Sequence, residues 1–578
     1  MSRWSRSGSV LLALLSALVL AGGCANIPES TMPRVVQESD EQKTPKVDDP
    51  TPNLNAYALV GEFVTKTGSS EAAQTYLAGD AAREWDGVAE PTIIANSPST
   101  RPESVPTGDA DVVVILLEGA TIGRLGPLQN YYASVQNAAY RFTVTRQPSG
   151  QWRITEAPDT VLITESAFAT AYSRVNLQFF DPDESVLVPD PRFVPAVPRD
   201  GLEAKVVELL LTGPSDSLKG AVANQLDGLV LRTNVLQEPD GAIKINFASV
   251  DKSSEERQKI IAQLVYTLSD VTTSPLRIQS EDRQLLPQQE DWRQIDLDPF
   301  EKLTTSRPDL VGQAVTNGRV ISLRDGKPIS GPAGSGAYDI ASAGLSLDGS
   351  TLAVVQRTST GPRLRVGPVD GDLSEISMTP TRSLTRPTWL HSASENTPPN
   401  EVWTVQDGTI VNRVARGPEG GWDNYPVEAT ELTRGGGEIT DLRLSRDGVR
   451  LVAVIDGQVR IAPIIRNRDG GVAVQSPLTI QGGVFSDVVS VDWLDRQTLI
   501  VATNDISKPV AALPIDGYSY TIYNSANLTL PVSAITAGPS RATLVMDKLG
   551  LWSTLEAGKV WLSHQHSQPA GSIPFYPG

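Results

Sequence analysis

Apolar residues are spread unevenly along the chain, and their spacing divides it into stretches of different character. Residues 10–23, VLLALLSALVLAGG, form an unbroken apolar and small run behind Arg3 and Arg6. The run is shorter than the roughly 20 apolar residues a bilayer span takes. A basic start, a short apolar centre and small final residues predict a signal peptide over 1–23. From 25 to 52 the pattern collapses. Five prolines, many charges and few large apolar side chains predict a disordered tether.

Helical spacing of Leu54, Ala58 and Phe63 predicts a helix over 53–67, stopped by Gly68, with a second short helix in EAAQTYL. Strands follow: DVVVILLEG, then a hairpin in QNAAYRFTVTRQPSGQWRITEAP turning at Pro148-Ser149-Gly150. Helices followed by antiparallel strands predict an α+β domain over 53–165. Its strand ending Trp152-Arg153-Ile154 resembles those of cystatin-like and NTF2-like cones.

Residues 170–281 predict a second α+β domain. Strand VNLQFF leads into a Pro-rich loop, DPDESVLVPDPRFVP. A helix in DGLEAKVVELLLTGP would be capped by Asp200 and stopped at Gly213-Pro214. Strands LVLRTNVL and AIKINFA come next. Ser253 and Glu256 then form a capping box ahead of a stripe of Ile260, Ile261, Leu264, Val265 and Leu268. Strand PLRIQS closes the domain. Residues 282–308 are polar and predict a docked linker anchored by Trp292 and Phe300.

Beyond 309 no helical stripe survives. LSLDGSTLAVV at 345–355 and LSRDGVRLVAV at 444–454 each read as strand, Asp-Gly turn, strand. RPTWL, VDWLDRQTLIVAT and AITAGPSRATLVM belong to the same series. Copies start near 340, 386, 439, 489 and 534. A recurrence of 40 to 50 residues in all-β sequence predicts propeller blades over 309–578. Strands at 311–323 and 551–562 would complete a further blade or close the ring.

Cys24 is the only cysteine of the 578 residues, and it follows the apolar run directly. It is the expected lipid attachment site, with an S-diacylglycerol and an acylated amine after cleavage. Ala21-Gly22-Gly23-Cys24 resembles a lipobox, with Ala21 where leucine is usual. Two or more acyl chains make a stable anchor. With Cys24 consumed no disulfide remains, and packing alone must hold the exported domains.

Losing Arg3 and Arg6 with the leader takes the net charge from −18 to −20. That sign disfavours nucleic acid and broad contact with an anionic membrane face. Of the three histidines, His564 and His566 could pair on a metal, but no Cys/His cluster joins them, and they read as a polar tail. His391 stands alone. Asp181, Asp183 and Glu184 read as a solvated acidic loop. Asp348 and Asp447 read as turn residues, Trp389, Trp403 and Trp493 as core fillers, and Gly435-Gly436-Gly437 as a blade turn. No nucleophile elbow, P-loop or metal motif is present. Hence no catalytic residue, cofactor or metal is expected.

VNLQFFDPDESVLVP, LLLTGPSDSLKGA and IKINFASVDKSSEERQKIIAQLVYTL resemble a GerMN domain. The L-S-x-D-G-x-x-L repeats resemble a TolB-type propeller. Lipobox, cystatin/NTF2-like domain, GerMN domain and propeller, in that order, resemble the LpqB lipoproteins of actinobacteria. The resemblance implies a protein lipid-anchored on the extracytoplasmic face of the cell membrane. It also implies binding to the extracellular domain of an MtrB-type sensor histidine kinase, with effects on envelope homeostasis. A peptidoglycan-binding envelope protein is the second reading.

Cys24→Ser should leave the protein soluble or uncleaved, while intact-mass analysis of the wild-type membrane form should show acyl additions at the mature N-terminus. An unmodified Cys24 in purified membranes contradicts the anchor.

Overall fold

Asn55 begins the first helix. Its side-chain oxygen accepts the Ala58 amide at 2.8 Å, satisfying one of the N–H groups a helix start leaves free. The helix, α1 (Ala56–Lys66), buries Leu59, Val60, Phe63 and Val64 on one stripe. The computed structural model describes residues 49–578 apart from 88, 105–109, 197–200, 298, 301, 393, 395, 396 and 567. The second helix is shorter than expected, Ser70–Gln74. Strands β1 (Pro91–Ile94), β2 (Ser99–Pro102), β3 (Val112–Leu125), β4 (Tyr131–Arg146), β5 (Trp152–Glu156) and β6 (Val161–Thr164) form one sheet. Its order is β5-β4-β3-β1-β6, with β2 beside β3. The sheet packs on α1, where Phe63 meets Phe142 edge-on with ring centroids 6.0 Å apart.

The Pro-rich loop expected after VNLQFF is a turn only over 181–186; the rest of it is a strand. β7 (Tyr172–Phe180) and β8 (Leu187–Pro195) pair antiparallel over their whole length, from Tyr172 opposite Pro195 to Phe180 opposite Leu187. Antiparallel ladders use the N–H of alternate residues. Pro189 and Pro191 lie where the N–H points away from β7, so the missing donors cost the ladder nothing. Phe193, on the same edge, gives its N–H to the carbonyl of Gln129 in the first domain at 2.8 Å. On the other edge, the Gln178 amide donates to the Thr267 hydroxyl and the Asn176 amide to Asp270.

Helix α2 (Leu202–Thr212) starts at Gly201, whose φ is +90°. The cap expected at Asp200 lies outside the described residues. Gly213, at φ +107°, ends the helix as its sequence predicts. Helix α3 (Ser254–Leu268) carries the Ser253–Glu256 capping box. The strand expected in LVLRTNVL shrinks to a bridge between Leu231 and Phe247 and the short β9 (Leu236–Gln237). Residues 232–234 between them stay exposed. β10 (Ile243–Phe247) pairs parallel with β11 (Leu276–Ser280), whose other edge takes β12 (Arg283–Gln284) and β13 (Asp291–Trp292). The first part of the expected linker therefore completes the sheet, and Trp292 belongs to the domain core. Phe300 packs edge-on against Phe180, ring centroids 5.3 Å apart.

Among the described residues, six sheets make the propeller. The inner strands Ile340–Leu345, Thr388–Trp389, Ile439–Leu444, Val488–Trp493 and Ala534–Thr536 start close to the expected repeats. The sixth blade joins the two ends of the region: Gln313–Thr316 and Arg319–Ser322 take Ile573–Phe575 as their inner strand. Residues 551–562, expected as a possible closure, instead supply outer strands of the fifth blade. Each repeat turn is longer than a bare Asp-Gly pair. The Asp348 carboxylate accepts the Ser346 hydroxyl at 2.5 Å and the Ser350 amide at 3.0 Å, with Gly349 at φ +78°.

Every seam of the ring carries a hydrogen bond between inner strands. The Trp389 indole donates to the Gly344 carbonyl at 2.8 Å, and the Leu444 amide to the Thr388 hydroxyl at 3.1 Å. The Val491 amide donates to Asp441 at 3.2 Å, and the Thr536 hydroxyl to Asp492 at 2.7 Å. The Tyr576 amide donates to Thr536 at 3.1 Å, and the Gly578 amide to the Leu345 carbonyl at 2.9 Å, which returns to the first blade.

The three domains belong to one compact unit, residues 49–578, and the β7–β8 ribbon is shared among them. Arg192, fully buried, donates to Asp190 and to the Leu128 carbonyl of the first domain, both at 2.6 Å. Asp190 also accepts the amide and hydroxyl of Ser215, both at 2.8 Å. From the propeller, Arg450 donates to the Pro189 carbonyl and Arg496 to that of Leu187. Tyr518 of the fourth blade meets Tyr131, Phe168 and Phe193, with centroids 5.3, 5.2 and 5.1 Å away.

Arg192→Ala should destabilise residues 49–578 by about 3–5 kcal/mol, because it strands Asp190 in a buried site. Urea titration checks it; a loss below about 1 kcal/mol contradicts the role given to the pair. Residues 310–578 alone should show a β-type circular-dichroism spectrum and one cooperative melt. Truncation after 570, which removes the closing strand, should lower that melt markedly. An unchanged melting temperature would mean that the sixth blade does not close the ring.

Candidate functional site

Cys24, the expected lipid site, lies outside the described residues. No helix among the described residues is long and apolar enough to cross a membrane. The candidate surfaces are therefore the seam between the middle domain and the propeller, and the outer face of the middle domain.

At the seam, the β7–β8 turn meets the second and third blades around a cavity of about 260 Å³. Asp181, Asp183, His391, Glu401, Arg413 and Arg466 line it. Asp181 is not the solvated residue its sequence predicts; it is 3% exposed. Its carboxylate accepts the amides of Ser185 and Val186, both at 2.7 Å, and so shapes the turn. Burial pushes its carboxyl up, against the pull of those amides and of nearby His391. Glu184 ion-pairs with Lys259 of α3 at 2.7 Å, which holds its carboxyl below the usual range. Asp183 alone of the three is exposed.

Across the cavity, burial would favour a neutral Glu401. Arg466 at 2.7 Å, the Trp403 indole at 2.7 Å and Arg413 at 3.0 Å overcome it and hold the carboxyl low. The ring Nδ1 of His391 sits 2.9 Å from the Ser392 carbonyl. Asp447 accepts the Ser445 hydroxyl and the Val449 amide and pairs with Arg450 at 3.2 Å. Asp181, Glu401 and Asp447 are thus engaged in holding turns and blades in place.

The other singled-out residues stay apart from this cluster or serve packing. Trp389, Trp403 and Trp493 are buried, as core fillers should be. The His566 amide donates to His564 Nδ1 at 3.2 Å, and burial lowers the His564 pKa. Gly435-Gly436-Gly437, all at positive φ, lie in the connection between the second and third blades. Among the described residues no three His, Cys, Asp or Glu side chains group as a metal site.

A groove of about 680 Å³ on the middle domain escaped the sequence reading. Leu268, Leu276, Trp292 and Leu297 are among its lining, and Ile295 stands at its rim, 90% exposed. The only hint in sequence was a lone isoleucine in the polar run EDWRQIDLDP.

Comparison with known proteins bears on the whole chain. Residues 49–169 match the family described as "Lipoprotein LpqB, N-terminal domain", 176–286 match "Sporulation and spore germination", and 318–577 match "Lipoprotein LpqB beta-propeller domain". Lipoprotein LpqB of Rhodococcus opacus is 30% identical over 92% of this chain and 91% of its own. That of Mycolicibacterium smegmatis is 29% identical over 99% of both. Among solved structures, the Cps50 (Swd1) β-propeller domain of Myceliophteria thermophila aligns with a TM-score of 0.30 at 13% identity, over 43% of this chain and 81% of its own. With its relatives matched nearly end to end and three family domains in one order, the chain belongs to the Lipoprotein LpqB family.

Proposed function

We propose that this lipoprotein is held on the extracytoplasmic face of the membrane by acylated Cys24. There it binds the extracellular domain of a two-component sensor histidine kinase and modulates its signalling without chemistry of its own. The observation that carries the reading is one chain that joins a lone cysteine, directly after an apolar run, to three domains interlocked through one ribbon. A body of that kind presents fixed surfaces, and the tether expected over 25–52 lets them reach a partner near the membrane. At the seam between the middle domain and the propeller, Asp181, Glu401 and Asp447 are engaged in ion pairs and turn hydrogen bonds, which supports a binding role. A mature charge of −20 suits a protein partner better than a wall or membrane polyanion. Holding both partners on one membrane raises their effective concentration, so a solution affinity of roughly micromolar strength is sufficient.

Titration calorimetry of residues 49–578 against the purified extracellular domain of the kinase should give a dissociation constant of about 1–100 μM. The lipoprotein should then change autophosphorylation of the kinase reconstituted in vesicles. No binding at high micromolar concentration, with tight binding to peptidoglycan fragments instead, would replace this reading with wall recognition.

A further inference from the structure

The groove on the middle domain is a surface feature of that domain alone. Its lining residues all fall between 265 and 299, so neither the first domain nor the propeller covers it. Leu268, Leu276 and Trp292 are buried beneath it as part of the domain core, which makes the floor rigid. The rim is rigid as well. Ile295 sits on a single 3₁₀ turn, Gln294–Asp296, fixed by a 2.8 Å bond from the Arg293 amide to the Asp296 carboxylate. Ile295 is the most exposed of the large apolar side chains on the described surface. A single exposed isoleucine is ordinary on a protein surface; what sets Ile295 apart is its place beside an apolar floor, which makes one continuous apolar surface with it.

Charge narrows the occupant. Of the fourteen lining residues only Arg293 is charged, in a chain of net charge −18. The rest of the rim is neutral and hydrogen-bonding: Ser269, Thr272, Thr273, Ser274 and Gln294. The volume is that of a pocket for a few side chains. A polyanionic wall polymer or an anionic lipid face would call for several cations. A single guanidinium beside an apolar floor fits one carboxylate next to one or two large aliphatic side chains.

We propose that this groove is the docking site for the sensor domain, and that it takes a short helix or loop of that domain presenting an aliphatic side chain beside an Asp or Glu. The assignment rests on the partner named above and adds the surface and its chemistry. Ile295 and the apolar floor supply the buried centre of the contact, and Arg293 fixes its orientation with a charge-assisted bond.

The test uses residues 49–578 and the purified sensor domain. Ile295→Glu, at an exposed position, should leave the melt unchanged and weaken binding at least tenfold, about 1.4 kcal/mol. Arg293→Glu should weaken it several-fold and flatten its salt dependence. Ile506→Glu, exposed on a propeller turn, should bind as wild type does. If the wild type binds and Ile295→Glu binds equally well, the groove assignment is wrong while the sensor reading stands. If the wild type itself does not bind, the sensor reading fails and the assignment with it. Hydrogen exchange of the chain from residue 25 onward, without partner, provides a further check. Protection of 268–276 and 292–297 there beyond that in residues 49–578 would make the protein's own tether the occupant. A concentration-dependent dimer abolished by Ile295→Glu would make it a second copy. Either result overturns the proposal.

Discussion

The backbone hydrogen-bonding capacity of one two-stranded ribbon organises this molecule. A buried N–H or C=O must find a partner, and β7–β8 is buried along most of its length. An isolated ribbon has two open edges, and here each edge has its own clients. The β7 edge is closed by Thr267, Asp270 and Ala223 of its own domain. The β8 edge is closed by Gln129 of the first domain and by Arg450 and Arg496 of the propeller. Separating any domain would exchange these protein partners of the ribbon for water. These bonds, together with the aromatic contacts around Tyr518, join the three folds into one body.

Much of this architecture was legible in the sequence, and the exceptions share a cause. The Ser253–Glu256 capping box, the stop at Gly213 and the recurring L-S-x-D-G turns are local signals, and local signals survived. β8 was hidden because Pro189, Pro191 and Pro195 read as breakers. Only the pairing register shows that all three fall on the edge where an N–H is not wanted. Asp181 looked solvated because its neighbours are Pro182 and Asp183. Its burial depends on a propeller surface more than two hundred residues away in sequence. The groove was hidden for a similar reason: its floor and rim come from segments read as a helix and a linker. Trp292 joins them only through pairing with β11.

The propeller shows how a repeat sequence yields a ring with unequal joints. Each seam is bonded, but the bonding groups differ: an indole, hydroxyls, carboxylates and a terminal amide. Asp441 and Asp492 are the costly choice, since a carboxylate inside a protein loses its water. Burial pushes the Asp441 carboxyl up, and amide donors with nearby Arg386 work against that. Such joints give each blade one matching neighbour, which a ring of identical apolar seams would not specify.

The sixth blade sets an order of events during synthesis. Its strands at 313–316 emerge long before their partner at 573–575, which must still be made. The open blade waits for its inner strand until the rest of the propeller has emerged. Over that interval Gln313–Thr316 is an unpaired edge, able to template pairing with any extended chain nearby. The first two domains complete their own cores from earlier sequence and are ready well before the ring. The strand at 573–575 therefore acts as a latch, and a product cut short before it would keep its two α+β domains while exposing a propeller that cannot shut.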